Sequence, residues 1–479
     1  VSLIAPALLA AFTNARFVMY ADEWHPTRPA NPRDRAGIDH IVLAFAMANA
    51  TASFQPKVPI STIRSEFPNA KVMIAVGGWG DDIGFHQASK SDASIKQFAA
   101  DVATMLDNTG ADGVDIDWEY PGGNGGDYKQ ISNSDKTYQI EAFPKFLAET
   151  RAAIGNKLLS IAVPGKKGDM IAYTKKTGPQ IWPSVDYINV MSYDLMNRRD
   201  NVTKHHTSVA DSARVIENYL AIGAPAEKMN LGFAYYAKYF TTKEDCSERP
   251  LGCPIVLAED PVTGKDLLTS GAWTWEKSHM SPISLASLTV SNDGTCGPEQ
   301  GTKCSTGCCS QYGNCGTSPE HCSGACQHAF GTGCTDADVF GSWQRALSSG
   351  GTTDERAGGQ YFFDATNRLF WTWDTPELIE RKFEQVVRKY KLGGVMAWSL
   401  GEDSADWSHV RKMADELKKG GYKTPGRPAP KPMVDSGPAK PIKPVPSKAP
   451  YDTVWVDGTP QGPKANDVTT PGVPEDFTV

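Results

Sequence analysis

Eight short runs of apolar, largely β-branched residues recur along this chain, with helical patterns between them: Arg16–Tyr20, His40–Ala46, Lys71–Val76, Gly113–Glu119, Leu158–Val163, Tyr187–Tyr193, Met229–Tyr235 and Gly394–Ser399. Runs that are apolar on both faces belong in a sheet covered by helices on each side, which is a property of parallel sheets. Eight in series predict an α/β fold closed into a (β/α)8 barrel. An open doubly wound sheet is the alternative, but no Gly-rich phosphate loop follows the first run. Two intervening helices are well marked. In Asp92–Asn108, residues Ile95, Phe98, Val102 and Leu106 recur at helical spacing and Gly110 stands just beyond the end. In the other, Thr375 caps a helix that begins at Pro376 and lines Ile379, Phe383 and Val386 on one face.

The regular spacing breaks once. Roughly 140 residues separate the seventh run from the helix at Pro376, far more than an ordinary connection. They predict an insertion over 237–370 within a barrel domain spanning 16–420, on the strand C-terminal side where barrel active sites are built. Residues 421–479 are rich in Pro, Lys, Ala and Gly and read as a linker or disordered tail. Residues 1–15 are apolar and end in small residues, as the later part of a signal peptide does; a short buried segment is the other reading. No later stretch approaches the ~20 apolar residues of a membrane span.

All ten cysteines fall in the insertion. Eight lie between Cys296 and Cys334, and Cys246 and Cys253 form a close pair, expected to bond to each other. Such density predicts disulfides, hence an oxidising compartment and a secreted, extracellular protein. The sequons Asn49-Ala50-Thr51 and Asn201-Val202-Thr203 agree with that. A net charge of −7 argues against nucleic acid or an anionic membrane as partner. An uncharged ligand is expected, and 12 Trp and 16 Tyr offer stacking surfaces for one. Neither cofactor nor metal is expected, and the protein is expected to be a monomer.

Within the fourth run, Asp115, Asp117 and Glu119 alternate with Val114, Ile116 and Trp118. Strand alternation sends the apolar set out toward the helices and the three carboxyls into the barrel, ~6.5–7 Å apart. Three buried carboxyls cannot all ionise, so at least one keeps its proton at neutral pH. Glu119, last in the run and nearest the barrel mouth, is the expected general acid. A solvated acidic strand end and a divalent-metal site are the alternatives, and no further cluster supplies completing ligands.

Asp112-Gly113-Val114-Asp115-Ile116-Asp117-Trp118-Glu119, followed by Tyr120-Pro121-Gly122, resembles the DxxDxDxE signature of family 18 glycoside hydrolases, the chitinase group. Further landmarks follow in order from Arg16 to Gly420. Ala75-Val76-Gly77-Gly78 is similar to the third-strand SxGG pattern, Met191-Ser192-Tyr193-Asp194 to the sixth-strand MxYD, and Gly394–Ser399 carries the eighth-strand tryptophan, Trp398. The resemblance implies hydrolysis of β-1,4 bonds in chitin or chito-oligosaccharides, with retention and no enzyme nucleophile, because the substrate's own acetamide attacks. It implies Glu119 as general acid/base, Asp117 turning from Asp115 toward the acetamide N–H, and Tyr193 holding the acetamide oxygen. Asp194 and Met191 would support that pocket and Trp398 would floor it. Tyr20, Phe45 and Trp79, at or just beyond strand ends, are expected either to line the groove or to pack in the core, and Tyr120 is expected beside the substrate. Ala75 departs from the pattern and is expected to leave Asp115 one hydroxyl partner short. A chitin-binding lectin on the same barrel and an endo-β-N-acetylglucosaminidase acting on N-glycans are the competing functions.

Residues 296–334 resemble a hevein-like chitin-binding module centred on Cys308-Cys309-Ser310-Gln311-Tyr312-Gly313-Asn314-Cys315. Eight cysteines stand in for the apolar core so small a unit lacks. Their spacing alone leaves 105 pairings open. The resemblance implies Cys296–Cys309, Cys304–Cys315, Cys308–Cys322 and Cys326–Cys334. It also implies sugar contacts from Ser310 and Tyr312, weakened because Asn314 and His321 stand where aromatics are usual.

Overall fold

A computed structural model describes residues 15–281 and 284–420, together with the backbone of 454–456 and 459–461. Seven strands, β1 (Arg16–Asp22), β2 (His40–Ala46), β3 (Lys71–Gly77), β4 (Gly113–Asp117), β5 (Leu158–Val163), β6 (Tyr187–Val190) and β7 (Met229–Ala234), are joined by a closing strand, Gly394–Trp398. They form a closed barrel in which the closing strand lies between β7 and β1. Every pairing around the ring is parallel.

The alternation of each strand explains the layers. Val114, Ile116 and Trp118 join Val72, Ile74, Leu159 and Ile161 in the outer core beneath the helices. The intervening residues, among them Val18, Val42, Met73, Ala75 and Met396, fill the barrel interior. A period of two on every strand puts one set on each face.

Three helices bear on the site. Helix α1 (Asp82–Ala88) follows β3. Helix α2 (Asp92–Thr109) starts from a Ser91 cap and buries Ile95, Phe98, Val102 and Leu106, ending at Gly110 with φ +71°. Helix α3 (Tyr138–Ile154) follows the loop after β4 and packs on α2. The Thr375 hydroxyl accepts from the Leu378 amide, and Pro376 opens that helix as expected. Its last turns widen into a π-helix, Phe383–Arg388, which no sequence signal announced.

The insertion is built on a five-stranded antiparallel sheet. Its strand Tyr236–Thr241 begins with only Tyr235 between it and β7, lies between Ser270–Thr274 and Leu369–Trp373, and Gly359–Asp364 and Thr352–Asp354 complete the sheet. The sheet therefore starts at Tyr236 and ends at Trp373, slightly outside the expected 237–370, because it grows straight out of the barrel strand. The helix Val339–Ser349 covers it, with Trp343 against Trp371 at 4.9 Å.

Cys246 is bonded to Cys253, and the dense segment pairs Cys296–Cys309, Cys304–Cys315, Cys308–Cys322 and Cys326–Cys334. Its own interior is little more than Cys296, Cys304, Cys309 and Phe330. No helix among the described residues is long and apolar enough to cross a membrane. The segment expected to be a signal remnant lies, apart from Ala15, outside the described residues. So does the expected tail, except for two three-residue strands, Val454–Val456 and Thr459–Gln461, which pair antiparallel.

Candidate active site

Four strands stop short of their expected ends, and each bears on the site. β4 stops at Asp117, which faces Gly77 of β3, while its last partner on β5 is Ile161 opposite Ile116. With no partner beyond, the backbone leaves the ladder, so Glu119 stands two residues past the strand rather than at its end. β6 stops at Val190, leaving Met191 to Asp194 in the following loop, where Asp194 takes a positive φ of +53°. β7 stops at Ala234 and the closing strand at Trp398.

Asp115 is fully buried between Ala75 of β3 and Ser160 of β5. Here the structure corrects the sequence reading. The hydroxyl absent at Ala75 is supplied from the opposite neighbour, because Ser160 Oγ donates to Asp115 Oδ1. Tyr20 Oη donates to Oδ2 at 2.8 Å, and Asn189 Nδ2 donates to Oδ1 at 3.2 Å. Burial still pushes Asp115 up to about 6, against the pull of these hydrogen bonds.

Asp117 is buried as well, and its Oδ1 has no hydrogen-bond partner. Burial first, then the charges of Glu119 and Asp115, lifts it well above the ordinary carboxyl range. Gly77 has to be glycine: φ is +113°, and a Cβ would stand 2.2 Å from the Asp117 carbonyl oxygen. Glu119 is pushed up to about 8 by burial, aided by the charges of Asp194, Asp82 and Asp169 and opposed by a hydrogen bond from Tyr120.

Asp115 lies beneath the cavity at the barrel mouth. The remaining barrel residues expected at the site, Asp117, Glu119, Tyr193, Asp194, Met191, Trp398, Tyr20, Phe45, Trp79 and Tyr120, all line it. Trp398 forms a stacked pair with Phe45, centroids 5.4 Å apart, and tilts against Tyr20 at 5.6 Å. Tyr20 is almost wholly buried, so its main contact is the Asp115 carboxyl rather than the groove surface.

Several lining residues carried no recognisable sequence signal. Tyr236 Oη donates to Asp194 Oδ1 at 2.9 Å, Lys238 Nζ lies 3.4 Å from the same atom and His206 Nδ1 lies 3.7 Å away. Burial alone would push Asp194 up, but Lys238, His206 and Tyr236 hold it well below the usual carboxylate range. The Arg199 guanidinium lies over the Tyr128 ring at 3.8 Å and donates to the carbonyls of Asn124 and Gly125. Glu402 faces the cavity with His25 at 3.4 Å, and burial pushes it up to about 8.

In the disulfide-rich segment the two expected sugar contacts part company. Tyr312 and Asn314 are exposed. Ser310 is buried, and its Oγ accepts from the Asn314 amide at 3.2 Å. It directly follows the buried Cys308–Cys309 strand and opens the turn closed by Gly313 N–H to Ser310 O, which keeps the side chain inward.

A family model described as glycosyl hydrolases family 18 matches residues 16–403. This chain belongs to glycosyl hydrolase family 18. Similar curated proteins include Chitinase 1 of Aphanocladium album, 30% identical over 194 residues that cover 38% of this chain and 44% of that protein. Chitotriosidase-1 of Mus musculus is 28% identical over 271 residues, covering 50% of this chain and 57% of that protein. The chain thus spans about half the length of these curated relatives. A chitinase structure from Rhizomucor miehei covers 84% of this chain and 99% of that one, with a TM-score of 0.57 at 17% identity. A catalytic domain of the Ostrinia furnacalis Group II chitinase covers 86% and 98%, with a TM-score of 0.57 at 19% identity. At such identities the structures establish the barrel fold.

Proposed function

We propose that this chain is a secreted chitinase that hydrolyses β-1,4 bonds between N-acetylglucosamine units with retention, using the substrate's acetamide as nucleophile and Glu119 as general acid/base. The observation that carries the proposal is a carboxyl, Glu119, at the rim of an aromatic-lined cavity where burial favours its protonated form, with a second buried carboxyl, Asp117, that burial pushes the same way. A retaining enzyme with its own nucleophile needs that second carboxyl ionised, and Asp117 is poorly suited to the role. A neutral Asp117 instead offers a proton donor and, in its unpartnered Oδ1, an acceptor for an acetamide N–H.

In this reading Tyr193 holds the acetamide oxygen above the Trp398 floor, and the anionic Asp194 orders the pocket wall through Tyr236. Relatives named Chitinase 1 in Aphanocladium album and Chitotriosidase-1 in Mus musculus support the substrate class, and the disulfides fit an oxidising compartment.

The test is hydrolysis of soluble N-acetylglucosamine oligomers, with the anomers of the new reducing ends followed by NMR. The β-anomer is expected first. Initial formation of the α-anomer rules out substrate assistance, and absence of any turnover rules out the activity. The pH dependence follows from Glu119. The acid form is present below about 8 and is lost as pH rises through that value, so kcat/KM should fall along an alkaline limb near pH 8. A limb centred near pH 5 assigns the proton donor elsewhere.

The disulfide-rich segment is proposed to be a hevein-like module that binds chitin weakly, through Tyr312. Aromatic contacts contribute about 0.5–1.5 kcal/mol each. Tyr312→Ala should therefore lower retention on insoluble chitin by a few-fold and leave turnover of soluble oligomers unchanged; retention equal to wild type removes the module from substrate capture.

A further inference from the structure

The loop after Glu119 reads Tyr120-Pro121-Gly122-Gly123-Asn124-Gly125-Gly126-Asp127 and holds four glycines. Glycine loses more backbone freedom on ordering than any other residue, so such a loop keeps one shape only if it is tied down. The ties form a circuit. The Gly122 amide donates to Gln139 Oε1 at 2.9 Å, which fixes the orientation of that side chain on α3. Gln139 Nε2 then faces His86 Nδ1 on α1 at 2.6 Å. An amide nitrogen only donates, so Nδ1 accepts and the ring proton sits on Nε2. Nε2 donates to Asp127 Oδ2 at 2.7 Å, Lys136 holds the other oxygen, and the Asp127 amide donates to Asp82 Oδ2 at 3.2 Å. One imidazole in a single tautomer thus joins the beginning of the loop to its end. The slack it removes would reach Glu119 directly. A Cβ at Gly125 would stand 2.7 Å from the Glu119 carbonyl oxygen and 2.1 Å from Asp82 Oδ1, so the loop's middle lies against the backbone of Glu119.

We infer that His86 is a positioning residue for Glu119 and Tyr120, acting through Gln139 and Asp127 on the loop between them. The inference rests on the acid role proposed for Glu119. His86 touches no substrate; it fixes the reach of the group that does.

The experiment compares His86→Leu with His86→Gln. Leucine removes both the acceptor and the donor. Glutamine keeps both, since its oxygen can accept from Gln139 and its nitrogen can donate to Asp127. Because a misplacement of about 1 Å can cost ~100-fold in rate, His86→Leu should lose roughly 30-fold in kcat on an N-acetylglucosamine tetramer, with KM within about threefold, and His86→Gln should recover most of that loss.

A merely structural role would not move the alkaline limb. Tyr120 pulls Glu119 down, so a loosened loop should shift the limb of His86→Leu to higher pH; Asp117, Asp194 and Tyr193 face the same acid from outside the loop, while Asp82 and Asp169 face it and are tied to the loop through the Asp127 amide and Asn124. In a Glu119→Gln background, tetramer affinity should be unchanged by His86→Leu. Should His86→Leu fail to fold, Gln139→Glu carries the test. Its carboxylate still accepts from Gly122 but cannot donate to Nδ1. The circuit is then cut at one link, and kcat should fall with KM little changed, as expected for His86→Leu. Wild-type kcat in His86→Leu, or equal loss in both His86 variants with an unmoved limb, overturns the inference. Turnover surviving in Glu119→Gln overturns the acid role and this inference with it, a result separate from either His86 outcome.

Discussion

Glu119→Gln should remove turnover of N-acetylglucosamine oligomers while leaving them bound. The substitution keeps the shape and length of the side chain, and its amide can still donate a hydrogen bond to a glycosidic oxygen. What it cannot do is transfer a proton, and that step contributes roughly 10²–10⁴ in rate. A fall in kcat of about 10³ is expected on that basis. Calorimetry on the same oligomers should give a Kd close to that of wild type, because the cavity walls (Trp398, Tyr193, Asp194 and Tyr120) remain as they are. The substitution also removes the charge that helps hold the Asp117 proton, so Asp117 should titrate lower in the variant. Loss of binding together with turnover, or a decrease below tenfold, would take the proton donor away from this position.

The second large effect concerns stability, and it lies one residue away. Trp118 points outward from the same stretch that turns Asp117 and Glu119 inward. It is 1% exposed, stacks face to face on Phe85 at 4.9 Å and meets Phe143 edge-on at 5.8 Å. Trp118→Ala leaves a cavity between the barrel and its helices, and truncations of this kind cost about 3–5 kcal/mol. Against a total stability of about 5–15 kcal/mol, that is a large share. The indole Nε1 has no hydrogen-bond partner, so the loss is one of packing alone. A urea titration should show a marked drop in midpoint, with Trp118→Phe falling between the two. A change under about 1 kcal/mol would mean that the outer core collapses around the gap.

These two residues also show why part of the molecule was legible in its sequence. The alternation of Asp115, Ile116, Asp117 and Trp118 assigns each side chain to a face without any knowledge of the neighbouring strands, since it depends only on the two-residue period. What depends on the neighbours was harder to read. Ala75 pointed to an impoverished Asp115, because nothing in a linear chain says that β5 brings Ser160 alongside. Lys238 and His206 reach Asp194 from segments 44 and 12 residues further along the chain, and neither carries a local pattern that marks it as part of a pocket. The strand ends slipped for a related reason. A strand lasts only as long as its partner does, so the apolar run through Trp118 outlives the ladder that stops at Asp117. Ser310 matched its expected type but not its expected orientation, because the bridged turn beside it sets which way it points.

The buried carboxyl of Asp115 on β4 takes hydrogen bonds from Tyr20 on β1, Ser160 on β5 and Asn189 on β6, while Asn189 in turn accepts from Asn230 on β7. Five strands, the first of the ring and four consecutive later ones, therefore meet at one titrating group. No partial barrel can reproduce that arrangement: a fragment ending before β6 would leave the carboxyl short of its amide, and one starting after β1 would lack its phenol. The network is thus complete only when β1 stands alongside β4 to β7, so a folding chain cannot fix the Asp115 carboxyl until its first barrel strand and its seventh are both in place.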